Sequence, residues 1–149
     1  MKASHSRMIR LDIASRFDLL DIVQTVLSHL SGMIGFDEEA IHFMSVAVRE
    51  SVVNAIKHGN RMDEQRRVVL AFTMHPREIE VEVRDEGKGF DPDSIPDPVA
   101  EENLLKTYGR GIFFMRSFMD TLHYSFPPEG GTVVRMTKRV AAAESVTEG

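Results

Sequence analysis

The chain has 149 residues, of which 42% are hydrophobic, and it carries a formal net charge of −5 at pH 7. A chain of this length buries about 68–70% of its unfolded surface, so we expect a globular protein rather than a disordered one. The acidic balance argues against a nucleic-acid or membrane partner, because both need a basic face. The absence of cysteine excludes disulfides, thiolate zinc sites, iron–sulfur clusters and cysteine nucleophiles.

The sequence predicts one domain over residues 1–140 and a frayed tail over 141–149. No stretch behind the polar N-terminus has the apolar character of a signal peptide, and no run approaches the roughly 18 apolar residues that span a bilayer. We therefore expect a cytoplasmic protein.

The N-terminal third predicts a strand and a helix. Apolar and polar residues alternate over 7–13, which is typical of a strand. Ser15 then has the character of an N-cap for a helix over about 16–31, which we expect to end in the region of Gly32 and Gly35.

A second helix is predicted over about 38–58, with Asp37 as its N-cap. This helix is apolar nearly all round, which is typical of a helix that is buried on most of its faces. The polar residues Glu50 and Asn54 within it therefore need partners, which are other side chains, water or a ligand.

The rest of the chain alternates strands with one helix. A proline-rich, acidic loop over 91–108 is expected to act as a lid or to be disordered. The other predicted elements are a hairpin of strands 67–75 and 78–85, a helix over 111–119, and strands near 120–126 and 131–138.

Three short motifs could carry chemistry, and the first lies on the second helix. Glu50, Asn54, Lys57 and His58 share one helical face. An asparagine carbonyl is a hard oxygen ligand that suits Mg²⁺, and a carboxylate one turn away can take a proton from a hydroxyl group. The alternative is an internal polar network without catalysis.

The second motif follows the strand 78–85. Asp85 is placed to accept a hydrogen bond from an exocyclic amino group, and Gly87 and Gly89, with Phe90 behind them, allow a ligand to approach the backbone closely. The alternative is a glycine-rich turn with a capping aspartate. The pattern matches neither the Walker motif nor the complete Rossmann fingerprint.

The third motif, Gly109, Arg110, Gly111 and Ile112, opens the helix 111–119. Backbone N–H groups at a helix N-terminus bind phosphate, and an arginine can add charge-assisted hydrogen bonds. The alternative is a simple glycine-rich helix start.

In this order the three motifs resemble the N, G1 and G2 boxes of the GHKL ATPases, the family of gyrase, histidine kinases and MutL with the Bergerat ATP-binding fold. The resemblance covers about residues 40–138 and includes Gly131-Thr132, which fits the family's later Gly-Thr strand. We expect an α/β two-layer sandwich with a mixed, mainly antiparallel sheet and helices on one face.

The resemblance also implies a role for each residue of the motifs. Glu50 would be the general base, and Asn54 would be the Mg²⁺ ligand. Asp85 would bind the adenine amino group of ATP, with support from Thr132. The other residues expected around ATP are Lys57 and His58 near the phosphates, Gly87 and Gly89 at the pocket floor, and Gly109, Arg110 and Gly111 facing the triphosphate. Phe90 and Ile112 are also expected to contact the nucleotide.

Within the family, the short chain resembles the stand-alone anti-sigma-factor serine kinases, since no dimerisation helix pair and no transducer domain accompany the ATP site. The resemblance implies a sigma factor and an anti-anti-sigma protein as partners, and it leaves a homodimer open. Arg16 is the one candidate residue for partner contact. Two alternatives stay open: a nucleotide-gated binding module without kinase activity, and a histidine-kinase-type catalytic domain that acts in trans.

Overall fold

The computed structural model describes residues 7–88 and 99–141. Five strands form one sheet in the order β1-β2-β3-β5-β4, and every neighbouring pair is antiparallel. The strands are β1 (Arg7–Ala14), β2 (Arg67–His75), β3 (Glu78–Arg84), β4 (Thr121–Ser125) and β5 (Val133–Arg139).

Four α-helices accompany the sheet. They are α1 (Leu20–Ile34), α2 (Glu38–Asn54), α3 (Glu101–Tyr108) and α4 (Gly111–Phe118). Helix α2 packs against both α1 and α4, and α1 and α2 reach the central strands. Among the described residues, no helix combines the length and the apolar character needed to cross a bilayer.

The alternation of residues in β3 shows how the layers form. Ile79, Val81 and Val83 are buried in the core, whereas the glutamates between them are only partly covered. Because side chains alternate across a strand, one sheet face packs against the helices and the other stays polar. The predicted two-layer sandwich is confirmed, but the described sheet is wholly antiparallel, so the expectation of a mixed sheet is wrong for this part of the chain.

The prediction for Ser15 is wrong. A 3-10 turn over Phe17–Leu19 precedes α1, and Arg16 occupies the position before it without a side-chain cap. The Ser15 hydroxyl instead donates a 2.7 Å hydrogen bond to the Arg66 carbonyl, from a side chain that is almost fully buried. Serine favours caps because its hydroxyl satisfies nearby backbone groups, and here a distant backbone group takes that role.

Helix α2 begins as predicted and ends differently. The Asp37 carboxylate accepts a 2.8 Å hydrogen bond from Ala40 N, which confirms its role as N-cap. At the other end the α-helix stops at Asn54 and continues as a π-helical turn over Ala55–Gly59. π-Helical turns are rare, and those that do occur often lie at functional sites. The position of this turn, at the end of the first motif, agrees with that tendency.

The segment 91–108 is not a loop throughout, because its second half forms α3. The prolines end at Pro98, and Glu101 and Glu102 then lie in the first helical turn, where the helix dipole favours acids. Residues 91–98 and 142–149 lie outside the described part of the chain, so the expectations of a lid and of a tail stay predictions.

Candidate functional site

Asn60 joins the end of the N-box segment to the sheet. Its amide nitrogen donates to Ser15 Oγ at 2.8 Å and to the Arg67 carbonyl at 3.0 Å, and its carbonyl oxygen accepts from Glu86 N at 2.8 Å. Asn60 has no exposed surface. Three partners from three segments therefore fix the π-helical turn against the residues that follow β3, and this contact places the first motif beside the second.

Asp85 lies at the meeting point of these segments, just after β3. Its Oδ1 accepts hydrogen bonds from Gly87 N at 2.9 Å and from Thr132 N at 3.1 Å. The side chain is 5% exposed. Burial raises the pKa of this carboxyl above its ordinary value, although the two backbone donors oppose the shift. Asp85 is thus a buried acceptor that is rigidly held by its own neighbours.

Glycines let the backbone come close to this carboxylate. A methyl group at Gly59 would overlap Asp85 Oδ2, and one at Gly87 would overlap the Gly59 carbonyl. Gly131, at φ +83°, lies directly on the Asp85 carbonyl, where a side chain would both clash and be strained. The first two motifs and the Gly-Thr strand therefore meet without side chains between them.

Glu50 meets the third motif in the same way. The α-carbon of Gly111, the first residue of α4, lies so close to the Glu50 carboxylate that a methyl group there would overlap Oε2. Glu50 itself is half-buried. The proposed base thus lies at the N-terminus of the helix expected to face the triphosphate.

Two stacked tyrosines lie beside the π-helical turn that follows Asn54, the last residue of α2. Tyr124 of β4 stacks on Tyr108, with ring centroids 5.1 Å apart, and Tyr108 meets the His58 ring edge-on at 5.8 Å. Burial raises the pKa of Tyr108 to about 12, an effect that the neighbouring Thr132 side chain opposes. Burial also raises the pKa of Tyr124, opposed by the neighbouring Asn54 side chain.

The basic residues of the motifs lie at the surface. Lys57, His58 and Arg110 are exposed. Partial burial and the nearby Lys57 lower the pKa of His58, while Glu50 acts in the opposite direction. His58 is therefore favoured as the neutral imidazole at pH 7, and Lys57 and Arg110 are the charged groups that an anionic ligand would meet.

The structure brings most of the predicted site residues together. The contacts described above link all the motifs. They involve the following residues or residues directly beside them: Glu50, Asn54, His58, Asp85, Gly87, Gly111 and Thr132. Ile112 is fully buried in the core, so only its backbone can face a ligand, and Gly109 forms the C-cap of α3. Gly89 and Phe90 lie outside the described residues.

Four residues of this site escaped prediction: Gly59, Asn60, Tyr108 and Tyr124. The first two follow His58, the last residue of the first motif, directly in the sequence. A glycine followed by an asparagine at a helix end is also an ordinary C-terminal signal, which hides any second role. The two tyrosines carry no motif, and only their stack on each other in the folded chain shows them.

The donor set suits Mg²⁺ as a partner of a bound triphosphate. Within residues 7–88 and 99–141, no cluster of three or more acids and histidines could hold a metal by itself. Mg²⁺ in phosphate-transfer sites takes one or two protein oxygens, with water and substrate phosphates as the other ligands. Asn54 is buried, and its amide nitrogen has no hydrogen-bond partner among the described residues. The carbonyl oxygen of the same amide is the atom that would ligate Mg²⁺.

Similarity to solved structures supports the fold. A crystal structure of the RsbU and RsbW domains of Rv1364c from Mycobacterium tuberculosis matches with a TM-score of 0.66 at 19% identity. The match covers 95% of this chain and 35% of the solved chain, so this chain spans about a third of the length of the solved one.

Curated relatives match this chain over a much larger share of their own length. The serine-protein kinase RsbW of Listeria monocytogenes is 27% identical over 94% of this chain and 91% of its own length. The counterpart with the same name in Bacillus subtilis is 26% identical over 87% of this chain and 84% of its own length. The anti-sigma F factor of Oceanobacillus iheyensis is 32% identical over 69% of this chain and 72% of its own length.

A family model described as a histidine kinase-like ATPase domain matches residues 13–138, which include all of the motifs. The resemblance read from the three boxes is confirmed by this match. The chain belongs to the histidine kinase-like ATPase domain family.

Proposed function

We propose that this protein is an ATP-dependent serine/threonine protein kinase that acts as an anti-sigma factor. It would bind a sigma factor and phosphorylate a serine of an anti-anti-sigma protein. Relatives named serine-protein kinase RsbW and anti-sigma F factor support this assignment. The site geometry supports it independently, as follows.

The observation that carries the proposal is the position of Glu50 against Gly111. A kinase needs a carboxylate beside the place where the terminal phosphoryl group is held. Glu50 lies at the N-terminus of α4, where backbone N–H groups and the helix dipole favour phosphate. There it would accept the proton of the serine hydroxyl while the serine oxygen bonds to the γ-phosphorus and the bond to ADP breaks.

The other residues of the site would hold the nucleotide. Asp85 Oδ1 is occupied by two backbone donors, which leaves Oδ2 to accept a hydrogen bond from the adenine amino group. Lys57 and Arg110 would neutralise the phosphates. Asn54 would ligate Mg²⁺, whose charge would offset the charge that develops on the transferring group.

The test is a phosphorylation assay with candidate anti-anti-sigma proteins and the variant Glu50→Gln. The amide keeps the shape and packing of Glu50 but cannot accept the proton. We expect Glu50→Gln to bind ATP as the natural protein does and to lose phosphoryl transfer by roughly 10²–10⁴-fold, the range found for general bases. Unchanged transfer would remove Glu50 from this role.

The chemistry of the product separates the two alternatives. Acid-stable phosphoserine on the partner supports the kinase and excludes a histidine-kinase-type domain acting in trans, because phosphohistidine is labile to acid. Nucleotide binding without transfer to any partner would select the nucleotide-gated binding module instead.

A further inference from the structure

Ser15 directly follows β1 and is bonded to the end of the π-helical turn. Its hydroxyl donates to the Arg66 carbonyl at 2.7 Å and accepts from Asn60 Nδ2 at 2.8 Å. Ser15 is 2% exposed and Asn60 is fully buried. A hydroxyl has one proton, so the bond to Arg66 leaves only the lone pairs of the oxygen for Asn60. Ser15 therefore faces Asn60 as an acceptor.

This acceptor helps to fix which way round the Asn60 amide lies. The amide nitrogen has two protons, and the second is donated to the Arg67 carbonyl at 3.0 Å. The amide oxygen accepts from Glu86 N at 2.8 Å. If the amide were reversed, its oxygen would face two acceptors and its nitrogen would face a donor, so buried polar groups would be left unpaired. The Ser15 hydroxyl is thus one of the groups that set the orientation of Asn60.

The position of Asn60 in turn bears on the carboxylate of Asp85. Glu86, whose backbone N–H is held by Asn60, directly follows Asp85 in the sequence. Gly59, which precedes Asn60, lies so close to Asp85 Oδ2 that a methyl group there would overlap this oxygen. A shift of Asn60 would therefore move backbone on two sides of the carboxylate, including the side of the oxygen that the backbone donors leave free.

We propose that Ser15 is a positioning residue for recognition of the base: through Asn60, its hydroxyl holds the backbone around Asp85 where the adenine amino group requires it. Lys57 and Arg110, the proposed partners of the phosphates, lie outside the hydrogen bonds just described. Ser15 should therefore act on the base and not on the phosphates. This inference rests on the proposed function, since it concerns how the same site selects its nucleotide.

The first experiment separates the base from the phosphates in Ser15→Ala. Calorimetry measures the affinity for ATP, and displacement of ATP measures that for tripolyphosphate, both with Mg²⁺. We expect ATP affinity to fall by about five- to tenfold, the value of one neutral hydrogen bond, and tripolyphosphate affinity to stay unchanged. A general loosening of the fold would lower both affinities. An unchanged ATP affinity, or an equal loss for the two ligands, would overturn the proposal.

Ser31→Ala is the matched control. Ser31 in α1 is also fully buried, and its hydroxyl has no hydrogen-bond partner among the residues that the structure describes. The variant removes the same atom from a helix that carries none of the three motifs, so its ATP affinity should equal that of the natural protein. A loss as large as that in Ser15→Ala would show that truncation of any buried serine has this effect, which contradicts a specific role for Ser15.

A double variant tests whether Ser15 acts through Asn60. In Asn60→Ala the group that Ser15 orients is already gone, so adding Ser15→Ala should change ATP affinity by less than about twofold. A further loss as large as the one that Ser15→Ala causes in the natural protein would mean that Ser15 acts by another route, and the proposal would be wrong.

Urea unfolding of the same three variants needs no nucleotide. We expect the double variant to lose clearly less than the sum of the single shifts of the midpoint, because either change alone breaks the same hydrogen bond. Strictly additive shifts would contradict the link between the two side chains. If the natural protein bound no ATP, the proposed function would fail, and the unfolding experiment would still decide whether this link exists.

Hydrogen exchange provides a test in the natural protein, which holds even if Ser15→Ala does not fold. The Glu86 amide proton is bonded to Asn60, and coupling between this bond and base recognition must be reciprocal. ATP with Mg²⁺ should therefore slow the exchange of this proton, whereas tripolyphosphate with Mg²⁺ should not. Equal exchange rates with the two ligands would overturn the proposal.

Discussion

Asp85 is a buried carboxylate to which the proposed function gives a role in nucleotide recognition. Its raised pKa means that burial disfavours the charged form, even though two backbone N–H groups donate to it. Adenine recognition needs that charge, because a carboxylate accepts a stronger hydrogen bond than a neutral group does. In the proposed function, Asp85 would thus serve ligand binding rather than stability.

The variant Asp85→Asn should separate the effect of Asp85 on ATP binding from its effect on folding. The amide oxygen can still accept from Gly87 N and Thr132 N, so the fold should persist at pH 7. The carboxylate that would accept from the adenine amino group is lost, and we expect ATP affinity to fall by about 10–100-fold, the value of a hydrogen bond to a charged group. Calorimetry measures the affinity, and an unaltered value would remove Asp85 from adenine binding.

The stability of the natural protein and that of Asp85→Asn should depend differently on pH. A carboxyl whose pKa is raised in the folded state stabilises the fold most below its ordinary value of 3.8, and this stabilisation is lost as the pH rises through the raised pKa. The asparagine variant has no such group. The free energy of unfolding of the natural protein, relative to Asp85→Asn, should thus increase as the pH is lowered toward 3.8. A difference that did not change with pH would contradict the raised pKa.

Gly111 and Gly32 make a second matched pair at this scale. A methyl group at Gly111 would overlap the Glu50 carboxylate, whereas none of the described atoms lies within 4 Å of the methyl position at Gly32 in α1. Because the Glu50 side chain can swing away, Gly111→Ala should displace the base rather than unfold the protein. We expect phosphoryl transfer to fall by roughly 10²-fold, as small misplacements of catalytic groups cause.

Gly32→Ala should leave transfer unchanged and stabilise the fold by about 0.5–1 kcal/mol, since alanine suits a helix better than glycine. Urea unfolding and the phosphorylation assay are run on both variants. Full activity of Gly111→Ala would show that the contact with Glu50 has no role in the reaction.

At the scale of elements, helix α2 is fixed differently at its two ends. Asp37 caps its N-terminus through one exposed hydrogen bond. At its C-terminus, Asn60 binds three other segments from a fully buried position. Only the C-terminal end borders the site. A variant at each end therefore separates a loss of stability from a loss of ATP binding.

Asn60→Ala should lower the free energy of unfolding by about 1–3 kcal/mol, because it leaves partners such as the part-buried Glu86 N without their acceptor. It should also weaken ATP binding, since it frees the π-helical turn from the residues after β3. Asp37→Ala should cost about 1 kcal/mol and leave ATP affinity unchanged. If the two variants weakened ATP binding equally, the effect would reflect stability alone.

The elements also show what a sequence can and cannot predict. The strands and α2 follow from alternation and capping, which are local, and the three boxes follow from their spacing. Ser15 was misjudged because its hydroxyl bonds a residue 51 positions away, and no local pattern reports such a contact. The prolines before residue 99 hide helix α3 in the sequence, although the helix has acids in its first turn and a lysine in its last turn. The contacts of Asn60 and Tyr124 join segments that are distant in the sequence, so no local pattern predicts them.

At the scale of the whole molecule, the site lies where the sheet and the helical layer meet. Thr132 precedes β5, Asp85 follows β3, and Asn54 ends α2, so a nucleotide there would touch both layers. A ligand that binds only the folded state stabilises it by mass action. ATP should therefore stabilise the entire fold.

We expect ATP with Mg²⁺, at about 100 times its Kd, to raise the melting temperature by roughly 5–10 °C. GTP at the same concentration should have little effect, because a guanine carbonyl would face the Asp85 carboxylate where adenine presents an amino group. Differential scanning calorimetry measures both shifts. Equal stabilisation by the two nucleotides would contradict recognition of the base through Asp85.

The most direct measurement is a crystal structure of the full chain with Mg²⁺ and a non-hydrolysable ATP analogue. It should show the adenine amino group on Asp85 Oδ2, the metal on Asn54 Oδ1, and the terminal phosphate beside Gly111 within reach of Glu50. A nucleotide bound elsewhere, or bound here with its phosphates turned away from Glu50 and Asn54, would contradict this assignment of the site.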